Sequence, residues 1–119
     1  MQENYQKLEV WKKSMDLVEL VYALVKRLPK EETYALSDQI RRAVVSIPSN
    51  IAEGQSRGSK EFVQFLKIAR GSRAELETQL LICERLKYLT KTDIESSLKL
   101  LEEISKMISS LIKHLTSKV

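Results

Sequence analysis

Nucleophiles and metal ligands are scarce in this chain of 119 residues, which holds one cysteine, Cys83, and one histidine, His114. A structural zinc site usually takes four Cys or His ligands. A Ser-His or Cys-His pair would need an orienting acid at a recognisable spacing, and neither residue has one. A lone cysteine also excludes an internal disulfide. Both residues read as packing or surface groups, and the chain as a protein with no enzymatic activity, metal or cofactor. What is abundant is cationic chemistry. Twenty Lys and Arg stand against 16 Asp and Glu, a formal charge of +4 with a pI near 9.2. That mild basic excess suits phosphate contacts without requiring them.

The placement of the cations says more than their sum. Lys99, Lys106 and Lys113 recur every seven residues and so lie along one side of a helix. Lys60, Lys67 and Arg70 share another face, with Arg73 close by. Arg41 and Arg42 come just before Pro48, and Arg57 follows it. A nucleic-acid backbone needs several cations reaching it together, which stripes repeated in an oligomer would supply. Each set also has a structural reading. Glu95, Glu102 and Glu103 are within reach of the helix-four lysines, and Glu53, Glu75 or Glu77 of Arg41, Arg42 and Arg73. Of the aromatics, Trp11, Phe62 and Phe65 fall on apolar faces, which leaves Tyr5, Tyr34 and Tyr88 as exposed stacking candidates.

These groups must be positioned by helices. Hydrophobic residues make up 43% and charged residues 30%, with only 3 Gly and 2 Pro, good material for long helices and poor material for strands. The periodicity predicts an all-α, antiparallel up-down-up-down four-helix bundle filling a single domain, 1–119. The helices are expected at about 8–28, 33–54, 59–88 and 92–117. Thr33, Ser59 and a Thr92/Glu95 capping box are the expected starts, and Gly54 is the expected stop of helix two. Helix one carries two apolar stripes: Trp11, Met15, Val18, Tyr22 and Val25, and beside it Val10, Leu17, Val21, Leu24 and Leu28. That exceeds the apolar face of an ordinary surface helix. A second covering surface is therefore expected, with Val10, Trp11, Leu17, Val21 and Leu24 as the candidate oligomer interface. Apolar runs are far too short for a membrane span and no signal segment opens the chain, so a cytoplasmic, soluble protein is expected.

The stretch "RRAVVSIPSNIAEG", residues 41 to 54, places Pro48 inside a helical pattern. Proline removes a backbone donor and crowds the carbonyl of Val44, so the second helix is expected to kink or locally unwind there. Ser46, Ser49 and Asn50 bring short polar groups to the break. Two readings are open: a kink that wraps the helix around its neighbours, or one that exposes polar groups or shapes a subunit contact. If helices two and three turn near Arg57, Ala43 faces Gly71, and a close helix–helix approach there would account for a glycine inside helix three. The alternative is a simple weak point in that helix.

Five segments, Val10-Trp11, "YALSDQIRRA", "SIPSNIAEG", "EFVQFLKIARGS" and "ELETQL", come in an order that resembles the four-helix-bundle proteins encoded in intervening sequences of bacterial 23S rRNA genes. The resemblance spans roughly residues 8 to 89; helix four matches only in helical character. It implies a homo-oligomer in the form of a ring-shaped pentamer and no enzymatic activity. The accessory proteins of diversity-generating retroelements are similar, which adds a reverse transcriptase and nucleic acid as partners by analogy.

Two functional expectations follow, from different classes. One is a basic homo-oligomer that binds the RNA or DNA backbone without base specificity, through Arg41, Arg42, Arg57, Lys60, Lys67, Arg70, Lys99, Lys106 and Lys113. The other is a protein-interaction scaffold or accessory subunit whose charge serves solubility alone.

Overall fold

The computed structural model describes residues 4–117. Among them are four helices, α1 (Glu9–Val25), α2 (Leu36–Arg57), α3 (Ser59–Arg85) and α4 (Lys91–Thr116). Two 3-10 turns, Asn4–Lys7 and Lys30–Glu32, precede α1 and α2, and no described residue is in a strand. Each helix packs on the next in sequence, and α4 returns to pack on α1. Across α1 and α4, Lys13 Nζ lies 2.7 Å from Glu103, and the Arg27 guanidinium donates to both oxygens of Asp93 at 3.0 and 3.2 Å. Numbers therefore rise along α1 as they fall along α4. The apolar stripes meet in one core, in which Leu17, Val21, Ile47, Leu66, Leu80 and Ile104 are fully buried. Burial of such side chains is the main stabilising term, on the order of 1.5–3 kcal/mol each.

Several boundaries differ from the sequence reading, each for a local reason. Helix α2 does not stop at Gly54 but continues to Arg57, and one residue, Gly58 with φ 107°, separates it from α3. That left-handed backbone is the conformation glycine adopts without penalty. Gly54 has a different task. A Cβ there would sit 2.5 Å from Phe65 Cβ, so its missing side chain lets α3 approach α2. The turn's later position shifts the register of the pair. Ser46 bonds Ser72 at 2.7 Å, while Gly71 is exposed, and a Cβ placed on it would meet nothing within 4 Å. The expected Ala43–Gly71 contact is therefore wrong.

The α3–α4 connection carries two linked caps. Leu86 ends α3, Lys87 adopts φ 64°, and the N–H groups of Lys87 and Tyr88 bond the carbonyls of Glu84 and Cys83 at 3.0 and 2.9 Å. This closure normally uses glycine at the left-handed position. Thr90, not Thr92, then opens α4, because Thr90 and Asp93 satisfy each other's backbone N–H groups. Thr33 does not cap α2 either. Lys30–Glu32 turn as a 3-10 segment after Pro29, Ala35 takes the cap position, and Glu32 accepts the Leu36 N–H at 3.3 Å.

Through Pro48, which is buried, α2 stays helical rather than unwinding. Ser49 Oγ donates to the Val45 carbonyl at 2.8 Å. Asn50 Nδ2 donates to the Ser46 carbonyl and hydroxyl at 2.8 and 2.9 Å. Ser46 and Asn50 thus join the α2–α3 seam through the Ser46–Ser72 bond, while Ser49 stays exposed.

Candidate nucleic-acid interface

The structure divides the candidate cations into committed and free groups. Arg41 is half-buried and donates to the Thr33 carbonyl at 3.0 Å, so it holds the entry to α2. Arg42 is paired with Asp38 at 3.3 Å. Arg57 lies between Glu53 at 2.7 Å and Glu61 at 3.3 Å, over the Phe65 ring at 5.2 Å from its centroid. The hydrogen bond to Glu53 first, and that to Glu61 next, raise its pKa above the usual arginine value. It braces the α2–α3 turn.

On α4, Lys99 and Lys106 pair with Glu95 and Glu102 at 3.9 and 3.4 Å, and all four side chains are exposed. Such pairs contribute a few tenths of a kcal/mol and leave the face nearly neutral. Lys113, Lys60, Lys67 and Arg70 are exposed, with no carboxylate within 4 Å among the described residues. The expected pairing of Arg73 with Glu77 is present at 3.4 Å.

A second group of free cations escaped the sequence reading because three separate segments build it. The Arg27–Asp93 contact ties the end of α1 to the start of α4, and Tyr88 donates its hydroxyl to Glu32 at 2.8 Å, tying the α3–α4 turn to the 3-10 turn. These ties gather Lys26, Lys30, Arg85, Lys87 and Lys91 at one end of the bundle. All five are exposed and none has a carboxylate within 4 Å among the described residues. Glu31 and Glu84 are the unpaired acids beside them. The only sequence signal was the concentration of lysines near helix ends, where the helix dipole favours cations at the C-terminus. The scaffold under this end is firm. Asp93 is held below the usual carboxylate range, first by the Thr90 N–H and then by Arg27. The Glu32 hydrogen bond raises the Tyr88 phenol.

Stacking aromatics are few. Tyr5 packs edge-on against Trp11 with ring centroids 5.4 Å apart, Tyr88 is engaged with Glu32, and of the three candidates Tyr34 is the open one, at 95% exposure. Three of the five α1 candidates for a subunit interface also need correction. Val10, Leu17 and Val21 are buried in the chain's own core, and Trp11 and Leu24 are half-buried against it. The two stripes of α1 are real, but its outward apolar residues are Met15 and Tyr22, from the stripe that begins at Trp11, and Leu20, which lies apart from both.

The lone cysteine and the lone histidine lie at opposite ends of the bundle. Cys83 is fully buried, and burial, with the Glu32 carboxylate adding to it, pushes its thiol up to about 11. It belongs to the α3–α4 end, whereas His114 lines an open groove with Leu8, Met107 and Leu111 at the other. No cluster of three or more metal-ligating side chains occurs among the described residues, and none of their helices is long and apolar enough to cross a membrane.

Fold and surface together define a four-helix bundle with a group of exposed, unpaired cations at one end. The family model for 23S rRNA-intervening sequence proteins matches residues 6–110, and the chain belongs to that family. A crystal structure of a protein of unknown function from the S23 ribosomal protein family of Bacteroides thetaiotaomicron superposes with a TM-score of 0.80 at 32% identity. The match covers 87% of this chain and 98% of that one. No protein of curated function matches the chain.

Proposed function

We propose that this protein is a cytoplasmic, non-catalytic homo-oligomer, five copies to a ring, that holds the backbone of RNA or DNA without reading base sequence. The observation that carries the reading is the group of five unpartnered cations, Lys26, Lys30, Arg85, Lys87 and Lys91, at one end of the bundle. Cations without internal partners keep their full charge for phosphates, and a ring would repeat the group around one rim. Ring formation is supported by the family resemblance and by the apolar surface left open on α1 and α3. Lys60 and Lys113 add free charge at the opposite end.

Fluorescence anisotropy with a structured RNA and a DNA duplex tests this. Lys26, Lys30, Lys87 and Lys91 reversed together to Glu should abolish binding with the helical content intact. The same reversal at Lys99 and Lys106, already paired, should change it little. Equal loss from both sets, or from neither, contradicts the proposal. A second reading, an accessory scaffold for a protein such as a reverse transcriptase, draws on exposed apolar residues of α3, Ile68, Leu81, Ile82 and Leu86.

A further inference from the structure

Tyr34 stands apart among the large apolar and aromatic side chains that the fold leaves outside. The others lie at 37–52% exposure, whereas Tyr34 is 95% exposed. Its side chain makes no hydrogen bond and no ring contact among the described residues. A tyrosine ring in water forgoes the burial that such a ring ordinarily contributes, and no contact within the chain accounts for its place.

The turn that carries this ring is fixed on both sides. The Thr33 N–H bonds the Lys30 carbonyl and the Ala35 N–H bonds the Glu32 carbonyl, each at 3.0 Å. Arg41 donates to the Thr33 carbonyl at 3.0 Å. Glu32 gives one carboxylate oxygen to the Leu36 N–H at 3.3 Å and the other to the Tyr88 hydroxyl at 2.8 Å. The ring therefore stands out from a pinned backbone, and with only two side-chain torsions it has little freedom to lose on binding.

The same bonds put the ring at the basic end. Lys30 precedes Tyr34 by four residues, and Lys87 adjoins Tyr88, which Glu32 holds. Consecutive Cα atoms are about 3.8 Å apart, so Tyr34 lies within about 8 Å of Glu32, and Lys87 about 4 Å from Tyr88, on either side of that hydrogen bond. Glu31 and Glu84 are the unpaired acids set against the five cations there. An open aromatic face beside several free cations is the pair of features that holds a single strand: the cations follow the backbone and the ring takes the face of a base. In a duplex the bases are stacked on one another, and their faces are closed to such a ring.

We infer that the basic end takes a single strand, with one unpaired base laid on the Tyr34 ring and the flanking phosphates held by Lys30, Lys87 and Lys91. The inference rests on the nucleic-acid reading proposed above and adds which form of nucleic acid is held and by which ring. Because every base has a face to stack, the strand is gripped without its sequence being read.

Anisotropy on the full chain tests this with three labelled ligands at one low salt concentration. They are an oligothymidylate of about 12 nucleotides, the same backbone without its bases, and a duplex of the same length. Tyr34→Ala should weaken the oligothymidylate about 5- to 150-fold, the loss of one stacked base, and bring it close to the abasic strand. The loss should be confined to the oligothymidylate, since the other two ligands offer no open base. Tyr34→Phe should bind it as the wild type does, because the ring and not the hydroxyl makes the contact. Circular dichroism should show unchanged helicity in both variants, as the side chain touches nothing. Equal affinity of wild type and Tyr34→Ala for the oligothymidylate overturns the inference; if reversal of the four lysines still abolishes binding, the cation reading stands. Equal loss on all three ligands also overturns it, since the ring would then act on the backbone. A wild type that binds none of the three overturns both.

Discussion

At the scale of single residues, two glycines on adjoining helices do opposite things. Gly54 makes room for Phe65, so Gly54→Ala drives a methyl group into a side chain's first carbon and should destabilise the fold by about 1–3 kcal/mol, as overpacking does. Gly71 meets nothing, so Gly71→Ala should stabilise α3 by up to about 1 kcal/mol, the helix-propensity difference. Thermal melts of the two variants check the opposite signs. The sequence reading took Gly54 as a helix stop and left Gly71 as either a close contact or a weak point; the stop and the contact are wrong, because spacing shows that a glycine is present while the register of the hairpin decides what it faces. Cys83 was legible as a packing residue. Its buried, protonated thiol should react with a disulfide-exchange reagent at pH ~8 only as fast as the protein unfolds. Rapid labelling of the native chain would contradict its placement.

At the scale of elements, the four apolar stripes were readable because a period of 3.6 residues is written in the side chains themselves. The ends were not. Two overlapping capping-box patterns, Thr90 to Asp93 and Thr92 to Glu95, compete for the start of α4, and the left-handed turn at Lys87 sets which one is used. Lysine at that position hid the turn, since glycine is the usual signal. Thr90→Ala should lower stability by roughly 1 kcal/mol, a shift of about 4 °C in the melting temperature. Asp93 adds a pH dependence whose sign is fixed. Its folded pKa lies below the unfolded value near ~3.9, so its contribution is complete above that value and disappears as pH falls through the folded one. Between about pH 5 and pH 2 the wild type should therefore lose more stability than Asp93→Asn. Parallel curves for the two proteins would show that the box carries no such charge.

At the scale of the whole molecule, the bundle was legible from the sequence and the basic end was not. Lys26 and Lys30 are far in the chain from Arg85, Lys87 and Lys91, and the Arg27–Asp93 and Tyr88–Glu32 contacts tie the two groups together. The seven-residue lysine stripe of α4, the plainest basic pattern in the sequence, is largely neutralised by its own glutamates. Periodicity finds charges that share a helix face, whereas a binding surface depends on which charges remain unpaired after folding. That distinction has a quantitative consequence. Five free cations per chain, each displacing a counterion, give a slope of log affinity on log salt of about −3.5 for a single strand and −4.5 for a duplex, as a minimum for one bound end. The measurement to make is this slope for the intact oligomer, by anisotropy between about 50 and 200 mM salt. A slope of that size or steeper, lost when the four lysines of the basic end are reversed, is the result the account predicts. Absence of binding at about 50 mM, or binding that ignores salt, would contradict it.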